Sequence, residues 1–142
     1  MNVSDILREK GGAVASASPE DSVAAVLALL AERNIGAVVV LGPGAKVAGI
    51  LSERDIVRGL AVHGAALLER RAADLMTRAV HTCTPGTSVE TVMAAMSARK
   101  IRHVPVVDGG ALAGIVSIGD VVKNRLDELE RETSMLQTII RS

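Results

Sequence analysis

The sequence contains no phenylalanine, tyrosine or tryptophan. Its core must therefore be built from Val, Ile, Leu, Ala and Met, and recognition of single-stranded nucleic acid by base stacking has no platform to use. A purine bound here would lie between aliphatic side chains. Cysteine is nearly absent too: Cys83 stands alone, cannot form an internal disulfide, and fits a reducing compartment, so a cytoplasmic location is expected. There is no excess of charge, because 16 basic residues balance 16 acidic ones. The whole-protein field gives no reason to expect nucleic acid or an anionic membrane as partner, and any anion site must be local. No apolar run is long enough to span a bilayer, and Met1 to Lys10 lack the apolar stretch of a signal peptide. At 142 residues the chain has the size of one compact domain.

What is present is written twice. Pro19, Ser22, Val23, Val26, Arg33, Ile35, Val38 and Val40 recur 66 positions later as Pro85, Ser88, Val89, Val92, Arg99, Ile101, Val104 and Val106. After a one-residue deletion, Gly49, Ile50, Ser52, Asp55 and Val57 recur 65 positions later as Gly114, Ile115, Ser117, Asp120 and Val122. The deletion falls between Leu41 and Ala48, where Gly42-Pro43-Gly44 reads as a turn that tolerates a change of length. A duplication of this kind decides the architecture before any local pattern does.

Each copy has the same local order. Val23, Val26, Leu27 and Leu30 lie at helical spacing behind Asp21 or Ser22 as a cap. Ala37 to Leu41 and Val47 to Leu51 are short apolar runs of the kind buried strands show, and helical spacing resumes at Ile56, Val57 and Leu60. With Ala13 to Ala15 and Val80 to Thr82 as leading strands, the unit is β-α-β-β-α. One such unit cannot cover both faces of its sheet, so two related by a pseudo-twofold axis and packed through their sheets are expected, with clefts between them. Gly59 to Met76 connect the copies and carry Leu67, Leu68, Leu75 and Met76 for a linker helix; Asn124 to Ile140, with Leu126, Leu129, Leu136 and Ile139, reads as a terminal helix.

Gly49-Ile50-Leu51-Ser52-Glu53-Arg54-Asp55 and Gly114-Ile115-Val116-Ser117-Ile118-Gly119-Asp120 resemble the strand-to-helix signature of CBS domains, and Ile101-Arg102-His103-Val104-Pro105-Val106-Val107-Asp108 resembles that family's second-strand motif. The resemblance covers nearly the whole chain. It implies an α/β (α+β) tandem pair, or Bateman module, with a first repeat over residues 1–62, a linker over 63–78, a second repeat over 79–126 and a C-terminal helix over 127–142. It also implies an adenosine-containing ligand in the cleft between repeats, and a homodimer.

Ser52-x-x-Asp55 and Ser117-x-x-Asp120 both have the form of a capping box, a role common in proteins that bind nothing. A carboxylate so placed can also accept hydrogen bonds from both hydroxyls of a ribose, beside a helix N-terminus that favours phosphate. The resemblance implies ribose contact by Asp120 and by Asp55. Arg102 and His103 read either as a solvated strand edge or as donors to phosphate; the resemblance favours the second, and extends it to Arg54, which precedes Asp55 as Gly119 precedes Asp120. The first repeat has Gly36 and Ala37 where the second has Arg102 and His103, so two unequal sites are expected. Backbone groups around Ile35 and Ile101 would read the adenine edge.

His81 and Cys83 lie two apart, but a zinc site needs three or four converging ligands, and no metal is expected. Gly42-x-Gly44 and Gly109-Gly110 read as hairpin turns, and Met93 and Met96 as core or interface. No nucleophile with an adjacent base, acid pair or metal set is evident, so the chain is not expected to be an enzyme and needs no obligatory cofactor. The expected function is regulatory binding of AMP, ADP, ATP or an NAD-type ligand, with an output partner the sequence does not identify. The alternative is a dimerising interaction or scaffold protein with no obligatory ligand.

Overall fold

The computed structural model describes residues 1–11 and 14–141. The chain runs α1 (Val3–Lys10), β1 (Ser16–Ala17), α2 (Val23–Arg33), β2 (Ala37–Leu41), β3 (Val47–Ser52), α3 (Glu53–His63), a 3-10 segment (Gly64–Glu69), α4 (Ala72–Leu75), α5 (Val89–Arg99), β4 (His103–Asp108), β5 (Ala111–Ser117) and α6 (Ile118–Arg141). The first sheet has the order β1-β2-β3, with β1 parallel and β3 antiparallel to β2; the second is the antiparallel pair β4-β5.

The helices start and stop where local chemistry requires. The Ser22 hydroxyl accepts the Ala25 N–H at 3.1 Å, and the Ser88 hydroxyl accepts the Thr91 N–H at 3.1 Å, so α2 and α5 are capped alike. Both end on a left-handed residue, Asn34 and Lys100. The β4-β5 hairpin turns through Gly109 and Gly110, whose φ values of 60° and 84° are those a two-residue hairpin turn of the right twist demands.

Two separate cores result. Val23, Val26, Leu30, Val38, Val40, Leu51 and Ile56 form the first; Val89, Val92, Met96, Val104, Val106, Val116 and Val121 form the second. Each is completed by a segment preceding the repeat at the other end of the chain. Val3 and Ile6 of α1 are buried in the second core, while Leu67, Ala72 and Met76 of the connection are buried in the first. The backbone repeats this arrangement. Val3 and Ser4 donate to Thr87 O and Pro85 O, both at 2.9 Å, and Ala72 and Ala73 donate to Asp21 O and Pro19 O at 2.7 and 3.0 Å. Gly114 and Gly49 leave room for these segments: a Cβ on Gly114 would lie 2.6 Å from Leu7 Cδ2, and one on Gly49 would lie 2.7 Å from Met76 Sδ.

Four expectations are corrected. The leading strand of the first repeat is Ser16–Ala17, later than Ala13 to Ala15, of which Ala13 lies outside the described residues. Its counterpart is no strand at Val80 to Thr82 but a single parallel bridge between Cys83 and Val106. Pairing with the neighbouring strand fixes these positions, and an alanine-rich run carries little β-propensity to mark them. The connection is also not one helix. Gly64, at φ 62°, ends α3, a 3-10 segment follows over Gly64–Glu69, and α-helix re-forms only at Ala72–Leu75. Conversely, the last repeat helix and the terminal helix are continuous, forming the 24-residue α6.

Candidate functional site

In each repeat, the carbonyl of the residue before the central strand accepts the first N–H of the closing helix. Glu53 N–H donates to Gly36 O at 2.9 Å, and Ile118 N–H donates to Arg102 O at 2.8 Å. This ties the start of α3 to the start of β2, and the start of α6 to the start of β4. A cleft of about 600 Å³ opens where the α2-β2 junction of the first repeat faces the β5-α6 junction of the second.

The cleft gathers six of the residues singled out from sequence: Ile35, Gly36, Ala37, His103, Ser117 and Asp120. It does not gather Gly119, Arg102, Ile101, Ser52, Arg54 or Asp55 on its wall. Sequence reasoning missed Lys10, Arg8 and Arg33, which also line it. Apolar atoms of Leu7, Val14, Ala15 and Ile115 complete a wall of aliphatic character.

Asp120 is fixed by its own helix. Its Oδ2 accepts the Ser117 N–H at 2.9 Å, and the Ser117 hydroxyl accepts the Asp120 N–H at 3.2 Å, so the capping box is formed. Lys10 Nζ, at the end of α1, donates to the same Oδ2 at 2.8 Å and to Ile115 O at 2.9 Å. Among the described residues Oδ1 has no hydrogen-bond partner. Burial pushes the Asp120 carboxyl up, but the Lys10 ammonium and the Ser117 N–H and hydroxyl together outweigh it and hold the group below the ordinary carboxylate range. The carboxylate is thus an ionised acceptor at neutral pH.

Asp55, the equivalent residue, is closed off. Its Oδ2 accepts the Ser52 N–H at 2.9 Å and the Ser52 hydroxyl at 3.0 Å, and its Oδ1 accepts the Thr77 hydroxyl at 3.3 Å. Both oxygens are engaged within the protein. A second hollow, lined by Arg78, Val80, His81 and Arg99, lies at the corresponding α5-β4 side without Asp55 on its wall. The two aspartates thus differ in their surroundings: Thr77 engages Asp55, and Lys10 pairs with Asp120.

His103 crosses between repeats, its ring lying 3.5 Å from where a Cβ on Gly36 would stand. Burial, followed by the Lys10 ammonium, holds its imidazole below the usual histidine range against the opposing pull of Asp120 and Glu53, so at neutral pH it is uncharged. Arg33 has no hydrogen-bond or ion-pair partner among the described residues. Cys83 is buried, and burial pushes its thiol up to about 11, so it is protonated and poorly nucleophilic. No group of three or more His, Cys, Asp or Glu side chains that could hold a metal occurs among the described residues.

The sequence matches the CBS domain model over residues 3–62 and again over 72–127. The chain belongs to the CBS domain family. The first match includes α1, which the fold lays on the second CBS repeat. The chain is 34% identical to the mitochondrial CBS domain-containing protein CBSX3 of Arabidopsis thaliana over 97% of its own length and 71% of that protein. Its fold superposes on a CBS-domain-containing protein of Agrobacterium tumefaciens with a TM-score of 0.84 at 41% identity, covering 88% of this chain and 99% of the other. Among the similar structures, two hold adenosine-type ligands. One is the CBS domain pair of protein MJ0100 with 5′-methylthioadenosine and S-adenosyl-L-methionine, at TM-score 0.80 and 27% identity over 90% of this chain and 98% of that one. The other is CBSX2 with AMP, at TM-score 0.73 and 26% identity over 89% and 96%. The chain is thus a tandem CBS pair, and no helix among its described residues is long and apolar enough to cross a membrane.

Proposed function

We propose that this CBS pair is a regulatory module, not an enzyme, that binds an adenine nucleotide in the cleft between its repeats. The observation that carries the reading is the half-free carboxylate of Asp120: an ionised, immobilised acceptor with one open oxygen, in a cleft otherwise aliphatic and cationic. Ribose hydroxyls meet Asp120, the adenine lies among Val14, Ala15, Ile35 and Ile115, and Arg33 and His103 face the phosphate. The Ile35 N–H is committed to Leu30 O at 3.1 Å, so Ile35 offers adenine its carbonyl rather than its N–H. Ser117 spends its hydroxyl on capping, which leaves no activated nucleophile in the cleft. The ligands held by MJ0100 and CBSX2 support the class. Ser52, Arg54, Asp55, Ile101 and Arg102 lie off the wall of this cleft, and a ligand meeting them is bound more weakly.

A ligand that binds only the folded state raises its apparent stability. In a thermal-shift panel of AMP, ADP, ATP, NAD, S-adenosylmethionine and GTP, the adenine nucleotides raise the Tm selectively. No shift with any of them, confirmed by calorimetry, would instead favour a scaffold that needs no ligand. We place the protein in the cytoplasm, and its output partner responds to the ligand-dependent relation of the two repeats.

The module is further proposed to pair with a second copy through α6. Leu126, Leu129, Leu136 and Ile140 are exposed and recur at alternating three- and four-residue spacing with Thr133 between them. Residues 129–141 of this helix are exposed throughout, and a helical stretch of that length is marginal in water without a packing partner. Light scattering is expected to give a mass near twice the 14.7 kDa chain, and the double variant Leu126→Glu, Leu136→Glu to give a monomer. A monomeric parent protein would contradict the pairing.

A further inference from the structure

Lys10 occupies an unusual position. It ends α1, a helix anchored in the second repeat by Val3 and Ile6, and its ammonium reaches the carboxylate through which the proposed site would hold a ribose. The pair is partly shielded, with 39% of the lysine side chain and 24% of the aspartate exposed. A ribose that takes both oxygens of Asp120 must compete with this ammonium for Oδ2. The competition costs binding free energy unless the displaced cation finds another anion close by.

The ligand itself can supply that anion. Among the described residues, the cationic side chains on the cleft wall are Arg8, Lys10 and Arg33, against the single carboxylate Asp120. Arg8 is paired with Asp5, whereas Arg33 is free of partners among the described residues. The lysine stem is flexible, with three rotatable donors at its end, and can turn from the carboxylate into the cleft without moving the helix that carries it. Adenosine itself, which has no anionic group, displaces Lys10 and returns nothing. S-adenosylmethionine places a sulfonium where the phosphate would begin, a third positive charge beside Lys10 and Arg33, and carries its carboxylate three carbons further out, next to an ammonium.

Resting on the nucleotide-site reading above, we propose that Lys10 is a specificity-determining residue: it exchanges its ion pair with Asp120 for one with a ligand phosphate, and so selects adenosine 5′-phosphates over adenosine and over S-adenosylmethionine. It acts as a competitor of every ligand at the ribose end and as a partner of only the phosphorylated ones.

This double role predicts effects of opposite sign from one substitution. Calorimetric titrations of the full chain, unmodified and as Lys10→Met, with AMP and with adenosine separate the two roles. Lys10→Met should bind adenosine severalfold more tightly, because Asp120 is no longer occupied, and AMP about tenfold more weakly, because one charge-assisted contact is lost. The preference for AMP over S-adenosylmethionine should narrow in the same variant, and Lys10→Arg should restore it. Lys10→Gln, with far-ultraviolet circular dichroism to establish folding, repeats the test should the methionine variant not fold. Parallel changes for AMP and adenosine, or no change for either, would overturn the exchange while leaving the nucleotide site intact. If the unmodified protein bound neither compound, the site reading would fall first and this inference with it.

Discussion

Replacing Asp120 with alanine is expected to weaken AMP binding by one to two orders of magnitude. A hydrogen bond to a charged group contributes about 1.5–3 kcal/mol, and each 1.4 kcal/mol is a factor of about ten in affinity. The ionised state of the carboxyl matters, since only the anion accepts from two hydroxyls at once. Asp120→Asn refines the test by keeping an oxygen for the Ser117 N–H while removing the charge, and it too should bind AMP poorly. The equivalent change Asp55→Ala should leave the tight site in place, because both Asp55 oxygens are already engaged by Ser52 and Thr77. Isothermal calorimetry on the three variants checks this. Equal losses in Asp120→Ala and Asp55→Ala would mean that the two halves are not unequal, and unchanged affinity in a folded Asp120→Ala would return that residue to helix capping alone.

The second large effect concerns stability. Leu67 lies between the repeats in sequence yet is fully buried in the first core, with Ala72 and Met76 beside it. Leu67→Ala should cost about 2–5 kcal/mol, a fall in Tm on the order of 10 °C for a chain of this size. Leu68, its neighbour, is 37% exposed, and Leu68→Ala should cost far less. Equal, small effects at both positions would show that the connection is a tether and not part of the core. Because α1 does for the second core what this connection does for the first, Ile6→Ala should resemble Leu67→Ala in sign.

Much of this fold is legible in the sequence because it is written twice. The helices α2 and α5, the hairpin at Gly109-Gly110 and the Ser-x-x-Asp junctions each carry a local signal, and the second occurrence supports the first. The crossing of α1 onto the second repeat carries none: nothing in Val3, Ile6 and Leu7 says which of two similar cores they fill. Lys10 was missed for the same reason. Its partner Asp120 lies 110 residues away, and a lysine at a helix end ordinarily reads as a solvated charge complementing the helix dipole. Arg33 was seen as a repeated residue, matched by Arg99, but its exposure to the cleft follows from the left-handed turn at Asn34 and the approach of the other repeat. Arg102 and Arg54 carry the more conspicuous charges in the motifs, yet the pseudo-twofold arrangement places them away from the Asp120 cleft.

In the proposed function, ligand binding at the cleft would give the module a means of regulation. The walls belong to different repeats: Asn34, Ile35 and Gly36 come from one, His103, Ser117 and Asp120 from the other, and Lys10 from the helix that joins the second core. A nucleotide bound among them favours whichever relation of the repeats makes all of these contacts together, and shifts the population by its difference in affinity for the alternatives. The proposed pairing surface lies on the same helix as Asp120, α6, so the cleft and that surface are joined by one element.

The most direct measurement is a two-dimensional amide-resonance titration of the isotope-labelled protein with AMP. The account predicts that the largest shifts fall on Gly36, His103, Ser117 and Asp120, with Lys10 moving as its ammonium leaves the carboxylate. Shifts concentrated instead on Asp55, Thr77, His81 and Arg99, or no shifts at saturating AMP, would contradict it.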